Sequence, residues 1–201
     1  MPDTVKASLM NEQDVSRSLM RISHEILEAN GGAEGLAIVG IVTRGDIIAH
    51  QVAENIQKIE GSAVPVGTLD ISLYRDDVAT KISPVLHRTD LPFNVDDTTV
   101  VLVDDVLFTG RTIRAALDAI MDYGRPNAIQ LAVLVDRGHR ELPIRADYVG
   151  KNVPSSYGEK VMVRLKPVDE VTDVRIIAAD PTESDAAGDA LPPEIDAITG
   201  E

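Results

Sequence analysis

Apolar positions along this chain follow two alternating rhythms. Val15, Leu19, Ile22 and Ile26 recur at steps of four, three and four, so Asn11 to Asn30 is predicted to be an amphipathic helix ending at Gly31-Gly32. Arg17, Arg21 and His24 fall on the opposite face of that helix. The unbroken apolar run Leu36 to Val42 reads as a buried strand, and Ile48, Val52, Ile56 and Ile59 line one side of a helix from about Asp46 to Glu60. Val64 to Leu73 reads as a strand. Beyond a polar stretch, Asp76 to Asp97, three more elements follow. Thr99 to Val103 is a buried strand, Thr112 to Tyr123 a helix stopped at Gly124-Arg125-Pro126, and Ile129 to Val135 a further buried strand. Short apolar strands alternating with helices, without an internal repeat, predict an α/β fold around a doubly wound, mainly parallel sheet.

Composition narrows the chemistry. The chain has 201 residues, 44% apolar and 26% charged, which excludes collagen-like, coiled-coil and wholly disordered classes. It has no cysteine, so disulfides, thiolate zinc sites, iron–sulfur clusters and cysteine nucleophiles are ruled out. Any metal is then a hard, oxygen-liganded ion, magnesium first. The longest apolar stretches fall far short of the roughly 18 residues that span a bilayer. Met1 to Glu12 carries no signal-peptide core, and a cytoplasmic protein is expected. Of the formal net charge of -14, half comes from seven acids between Asp180 and Glu201, a segment without Lys or Arg. That segment also lacks periodicity, which predicts a folded body over 1–179 and a disordered acidic tail over 180–201. The body remains acidic, which argues against loose nucleic-acid binding but leaves room for a local basic face.

In doubly wound sheets ligands bind beyond the carboxyl ends of the strands, so the residues after each buried run carry the functional weight. The stretch Val100 to Thr112 runs from a strand into Asp104 and Asp105, a short turn with Thr109-Gly110, and a helix start at Thr112. A helix N-terminus offers unpaired amides and a positive dipole end, and Thr109 and Thr112 add hydroxyls, so the turn suits a phosphate. Carboxylates bind phosphate poorly but accept well from a vicinal diol; Asp104 and Asp105 beside such a cradle therefore point to a sugar phosphate. The plainer readings are a capped helix start and an Asp pair serving a turn or a magnesium ion. Neither the dinucleotide fingerprint nor a phosphate loop with its lysine is present.

The Val100–Thr112 string resembles the phosphoribosyl pyrophosphate (PRPP) motif of type I phosphoribosyltransferases. Leu69 to Asp77 and Val135 to Lys151 are similar to the PyrR family, pyrimidine operon regulators that are also uracil phosphoribosyltransferases. The resemblance extends over about Val5 to Ala178. It implies the type I phosphoribosyltransferase fold with a small hood and a flexible loop. It also implies transfer from PRPP to uracil, giving UMP and diphosphate with Mg2+, and UMP-dependent binding to the mRNA leader of pyrimidine genes. Carried over residue by residue, it assigns Asp104 and Asp105 to the ribose, and Val106, Leu107, Phe108, Thr109, Gly110, Arg111 and Thr112 to the phosphate. Thr43, Arg44 and Gly45 form the pyrophosphate loop; Arg75, with Arg88, belongs to a lid over Tyr74 to Pro92. No side chain ligates the metal directly, the Mg2+ entering with PRPP and Asp104 or Asp105 reaching it through water. Asp136, Arg137, Gly138 and Ile144 form the uracil pocket, with Arg137 expected to position base or pyrophosphate. Arg21, His24, Arg140, Arg145 and Lys151 match the basic RNA face. His139 is given a UMP or RNA role, and His50 and His87 none. Met20 and Ala29 depart from the family's Thr and Arg in the first helix, removing one polar contact and one charge from that face. The alternatives are a salvage transferase without an RNA role and an RNA-binding regulator with vestigial activity. The family also implies a homo-oligomer, a dimer or higher.

Overall fold

In chain order the elements are β1 (Val5–Met10), α1 (Glu12–Asn30), β2 (Leu36–Ile41), α2 (Arg44–Glu60), β3 (Val66–Leu69) and β4 (Thr99–Leu107). They continue with α3 (Arg111–Met121), β5 (Ala128–Asp136), β6 (Tyr148–Asn152), β7 (Lys160–Arg164) and β8 (Asp173–Ile177). The structure is a computed structural model that describes residues 4–75 and 88–178. The acidic tail expected over 180–201, His87 and most of the expected lid lie outside those residues.

Local signals set the elements the periodicity anticipates. Asn11 opens α1 with a capping box: its side chain accepts the Asp14 amide at 2.9 Å, and the Asp14 carboxylate accepts the Asn11 amide at 3.1 Å. Gly31, at φ 70°, closes the same helix in the left-handed conformation. Every residue of β2 is buried because helices cover both faces of the sheet it belongs to. Along β4 the side chains alternate between two cores. Val101 and Val103 pack with Leu19 and Ile26 of α1 and Val52 of α2, whereas Val100 and Leu102 pack with Ile113, Ala116 and Ile120 of α3.

Five parallel strands in the order β3-β2-β4-β5-β6 make the main sheet, as expected. The antiparallel sheet β1-β8-β7 forms the hood, and its Val161, Val163, Val174 and Ile176 join the core beneath α1 and α2. Strand order runs outward from β2 to β3, then restarts at β4 on the other flank of β2. The switch point therefore lies between β2 and β4, and the crevice at their carboxyl ends is the ligand position of such a fold. The helix α2 lies tightly on that junction. A Cβ on Gly40 would stand 2.3 Å from the Asp46 Cα, and one on Gly45 would stand 2.5 Å from the Val103 carbonyl oxygen.

Three expectations are corrected. The strand expected to stop at Val103 continues through both acids, with Asp104 paired to Val133 and Leu107 to Asp136, because β5 runs on beside it. The strand expected over Val64 to Leu73 is confined to Val66–Leu69. Beyond it Ser72 donates to the Asp70 carboxylate at 2.8 Å and Tyr74 to the Ile71 carbonyl at 2.9 Å, bending the chain into a turn. The second helix starts at Arg44 rather than Asp46. Periodicity did not foresee β1, β6, β7 or β8. No helix among the described residues is long and apolar enough to cross a membrane.

Candidate active site

Two segments reach the switch point. The first follows β2, where the Val42–Thr43 peptide is cis and Thr43 occupies the N-cap of α2 without a side-chain cap hydrogen bond. Arg44, the first residue of α2, does not extend freely toward solvent. Its Nε and Nη2 donate to the two carboxylate oxygens of Asp169, each at 3.0 Å. Its charge also acts on Asp105, where it favours the ionised form. Gly45 matches the expected glycine, and packing against β4 explains it: any side chain would strike the Val103 carbonyl.

The second segment is the end of β4. Asp104 is buried and Asp105 half-buried, each carboxylate accepting the amide of the next residue, at 2.9 Å from Asp105 and 2.8 Å from Val106. Burial pushes the Asp104 carboxyl well above the usual range, the neighbouring Asp105 adds to this, and the Arg75 charge opposes it. Burial also raises Asp105, against the pull of the Val106 amide and Arg44. A close pair of buried carboxyls in one site cannot both ionise cheaply.

Beyond Leu107 the chain turns through Phe108, Thr109 and Gly110, with Gly110 at φ 94°, and enters α3. Gly110 at the N-cap brings no capping side chain; the Arg111 amide meets the Thr109 hydroxyl at 3.4 Å, and the start of the helix otherwise faces a ligand without a side-chain cap. A cavity of about 260 Å³ opens here, lined by Arg75, by Val106 to Thr112 and by Ile113. The whole expected phosphate stretch and the expected Arg75 thus share one concavity. Arg88, on the far side of the undescribed segment, is exposed.

The expected uracil residues lie against the same turn. The Thr109 carbonyl accepts the amides of Glu141 (3.0 Å) and Leu142 (3.1 Å), and the Leu107 carbonyl accepts that of Arg137 at 3.1 Å. Leu142 and Ile144 carbons stand 3.4 Å from where a Gly110 Cβ would be, so an apolar wall flanks the turn. Gly138, at φ 75°, donates its amide to Asp136 at 2.9 Å. The Arg137 side chain turns elsewhere. It is buried, donates to the Ser155 hydroxyl at 3.1 Å and to the carbonyls of Ser156 (2.9 Å) and Tyr157 (3.2 Å), and lies 4.1 Å from the Phe108 ring centre. It clamps the 155–157 segment under Phe108. Phe108, His139 and Tyr157 form an aromatic cluster with centroid separations of 5.5–6.2 Å. Arg111 bonds Glu141 at 2.6 Å, and Tyr157 bonds the same carboxylate at 3.2 Å.

The residues expected to meet RNA separate into two groups. Arg21 and His24 are exposed on α1, next to β6, which carries the exposed Lys151; Arg145 is exposed on the approach to that strand. Arg21 donates to the Val149 and Gly150 carbonyls at 3.1 and 2.6 Å, and Lys151 to the Leu9 carbonyl at 2.8 Å. Arg140, by contrast, is consumed inside the pocket wall. It bonds the Phe108 carbonyl at 2.9 Å, those of Ile144 and Gly138, and the Asp136 carboxylate. Sequence reasoning missed Asp169, Glu141, Leu142 and Tyr157 as neighbours of the site. Glu141 and Leu142 fell inside a quoted motif; Asp169 and Tyr157 carried no local signal.

The donor set fits a hard cation. Asp104 and Asp105 offer only oxygen, and among the described residues no group of three or more His, Asp or Glu side chains could form a metal cage.

The phosphoribosyl transferase domain family matches residues 7–166, and the chain belongs to it. Solved structures agree at the level of fold. A hypoxanthine phosphoribosyltransferase from Trypanosoma cruzi superposes with TM-score 0.67 at 18% identity, covering 89% of this chain and 97% of that one. A hypoxanthine-guanine phosphoribosyltransferase from Bacillus anthracis gives TM-score 0.64 at 17% identity over 87% and 99%. Within that class the chain is a member of the PyrR family. It is 59% identical over 172 residues to the "Bifunctional protein PyrR" of Clostridioides difficile, 85% of this chain and 97% of that protein. The protein of the same name from Bacillus subtilis is 56% identical over 168 residues, 82% and 93% of the two chains, and that from Thermus thermophilus 61% over 166 residues, 82% and 91%.

Proposed function

We propose that this chain transfers the phosphoribosyl group of PRPP to uracil, forming UMP and diphosphate, and that it binds the mRNA leader of pyrimidine genes when UMP is present. One observation carries the first half: a carboxylate pair, Asp104 buried and Asp105 half-buried, runs, within one strand and turn, into the start of α3, where Gly110 supplies no capping side chain. The first-turn amides of α3, with the hydroxyls of Thr109 and Thr112, take the 5′-phosphate. The carboxylates accept from the ribose hydroxyls, which favours their ionised form and places negative charge beside the oxocarbenium-like centre. Arg44, Arg75 and the amides of Thr43 and Gly45 neutralise the departing diphosphate. The main chain around Asp136 and Gly138 supplies both donors and acceptors to a pyrimidine edge, under Ile144 and Leu142. Asp104 or Asp105 would hold magnesium through water, and the ion, when bound, would supply charge neutralisation of the leaving group.

For the regulatory half, support comes from the relatives' name and from the exposed side chains of Arg21, His24, Arg145 and Lys151 around α1 and β6. UMP must favour the RNA-competent state by differential affinity. Binding of the purified protein to its own pyrimidine-gene leader, across a salt series with and without UMP, tests this. Tighter binding with UMP supports the regulator; equal affinity refutes it. Met20 and Ala29 favour the second reading, a salvage transferase without RNA, in which activity persists and that binding is absent. The protein works in the cytoplasm as a homo-oligomer, which sedimentation at assay concentration checks.

A further inference from the structure

Asp169 stands outside every motif of the sequence, yet among the described residues it is the one side chain that hydrogen-bonds Arg44. It lies in the turn between β7 and β8 of the hood, where its Oδ2 accepts the Leu165 amide at 2.8 Å and its own amide donates to the Leu165 carbonyl at 2.8 Å. The turn therefore fixes the carboxylate before any arginine meets it. Arg44 then docks through its Nε–Nη2 edge, two parallel bonds of 3.0 Å, a two-point geometry that fixes the plane of the guanidinium as well as its place. The Arg44 hydrogen bonds hold the Asp169 carboxyl below its usual range, so the pair is charged at neutral pH. Only one edge of the fork is used. Nη1 of Arg44 makes no hydrogen bond among the described residues, and the side chain keeps 33% of its exposure. An arginine at the first position of α2, beside the Asp104–Asp105 pair, is thus held by one edge with the other open to an anion.

We infer that Asp169 is a positioning residue: by pinning one edge of Arg44 it aims the remaining N–H groups at the diphosphate of PRPP, so that the hood helps build the substrate site. The inference rests on the reading of Arg44 as a diphosphate ligand. Without the pin, the long side chain must surrender its rotamer freedom on each binding event, which weakens binding of PRPP more than it slows transfer.

The test uses the full chain with four variants, Asp169→Asn, Asp169→Glu, Arg44→Ala and the double variant Asp169→Asn/Arg44→Ala. Asn retains an oxygen for the Leu165 amide, so the turn keeps its hydrogen bond. Two quantities are read: KM for PRPP at saturating uracil, and Kd for PRPP by calorimetry without uracil. Asp169→Asn is expected to raise both about tenfold, the equivalent of roughly 1.4 kcal/mol, with kcat within about threefold of the parent. Asp169→Glu restores part of the loss. The double variant is no worse than Arg44→Ala alone, a non-additivity that a merely structural defect would not produce. Unchanged or raised PRPP affinity in Asp169→Asn, or additive effects in the double variant, overturns the inference. If Arg44→Ala itself leaves PRPP affinity unchanged, the inference and the role of Arg44 fall together. A parent protein that makes no UMP, but whose PRPP affinity drops in Asp169→Asn, sinks the uracil reading while upholding the inference.

Discussion

Replacing Gly45 by alanine separates the two halves of the site without touching a polar group. The added methyl would stand 2.5 Å from the Val103 carbonyl oxygen and 3.3 Å from the Asp104 Cα, where ordinary contacts begin at 3.4 Å. Both obstacles are backbone of the central strand, so relief must come from the first turn of α2 moving outward by about 0.9 Å. Overpacking of that size costs about 1–3 kcal/mol, or several degrees of Tm in a domain of this length. The catalytic cost is larger. Thr43 and Arg44 ride on the displaced turn while Asp104 and Asp105 stay on β4, and a misplacement near 1 Å between cooperating groups lowers kcat/KM by about a hundredfold. The assay is UMP formation per folded molecule, with the folded fraction taken from far-UV circular dichroism on the same sample. Activity that falls only in proportion to the folded fraction, or stays at the parent level, would refute the claim that α2 and β4 must meet at this distance.

Three further outcomes are expected. Asp104 carries a raised pKa in the folded state, so the stability associated with its protonation is full below the unfolded carboxylate pKa and is lost as pH rises toward the folded value. Asp104→Asn, which keeps the oxygen facing the Asp105 amide, removes that loss; urea denaturation at neutral pH should show a gain on the order of 1 kcal/mol, with transferase activity strongly reduced. Arg137→Ala deletes a buried cation that holds Ser155, Ser156 and Tyr157 and stacks on Phe108, and thermal unfolding should show a loss of about 2–4 kcal/mol; a change in KM for uracil without loss of stability would instead place its guanidinium in the site. Charge removal at Arg21, Arg145 and Lys151 should weaken leader RNA binding and flatten its salt dependence, leaving UMP synthesis within about twofold, whereas Arg140→Ala should damage the pocket.

What the sequence disclosed follows from how far each signal reaches along the chain. The amphipathic period of α1, with Asn11 and Gly31 at its ends, and the fully apolar β2 are local, and both were legible. The end of β4 was misplaced because two consecutive acids read as a strand terminus. Pairing to Val133 through Asp136 carries the strand past them, and only the neighbouring strand holds that information. The hood was hidden for the same reason: β1 pairs with β8 at the opposite end of the chain, Val5 facing Ile177, and neither strand is long or regular enough to declare itself. At the site, the Asp104–Gly110 string could be read from spacing because one strand and turn supply it whole. The partners of arginines could not. Arg44 with Asp169, Arg137 with residues 155–157 and Arg140 with Phe108 are contacts of the folded chain, and a guanidinium's destination depends on which carbonyls and carboxylates the fold brings within reach.

The most direct measurement incubates the purified chain with uracil, PRPP and magnesium and follows UMP and diphosphate together. The account predicts both products in equal amounts, dependent on uracil and abolished in a variant carrying Asp104→Asn and Asp105→Asn. No UMP under these conditions, or undiminished UMP from the double Asn variant, would contradict it.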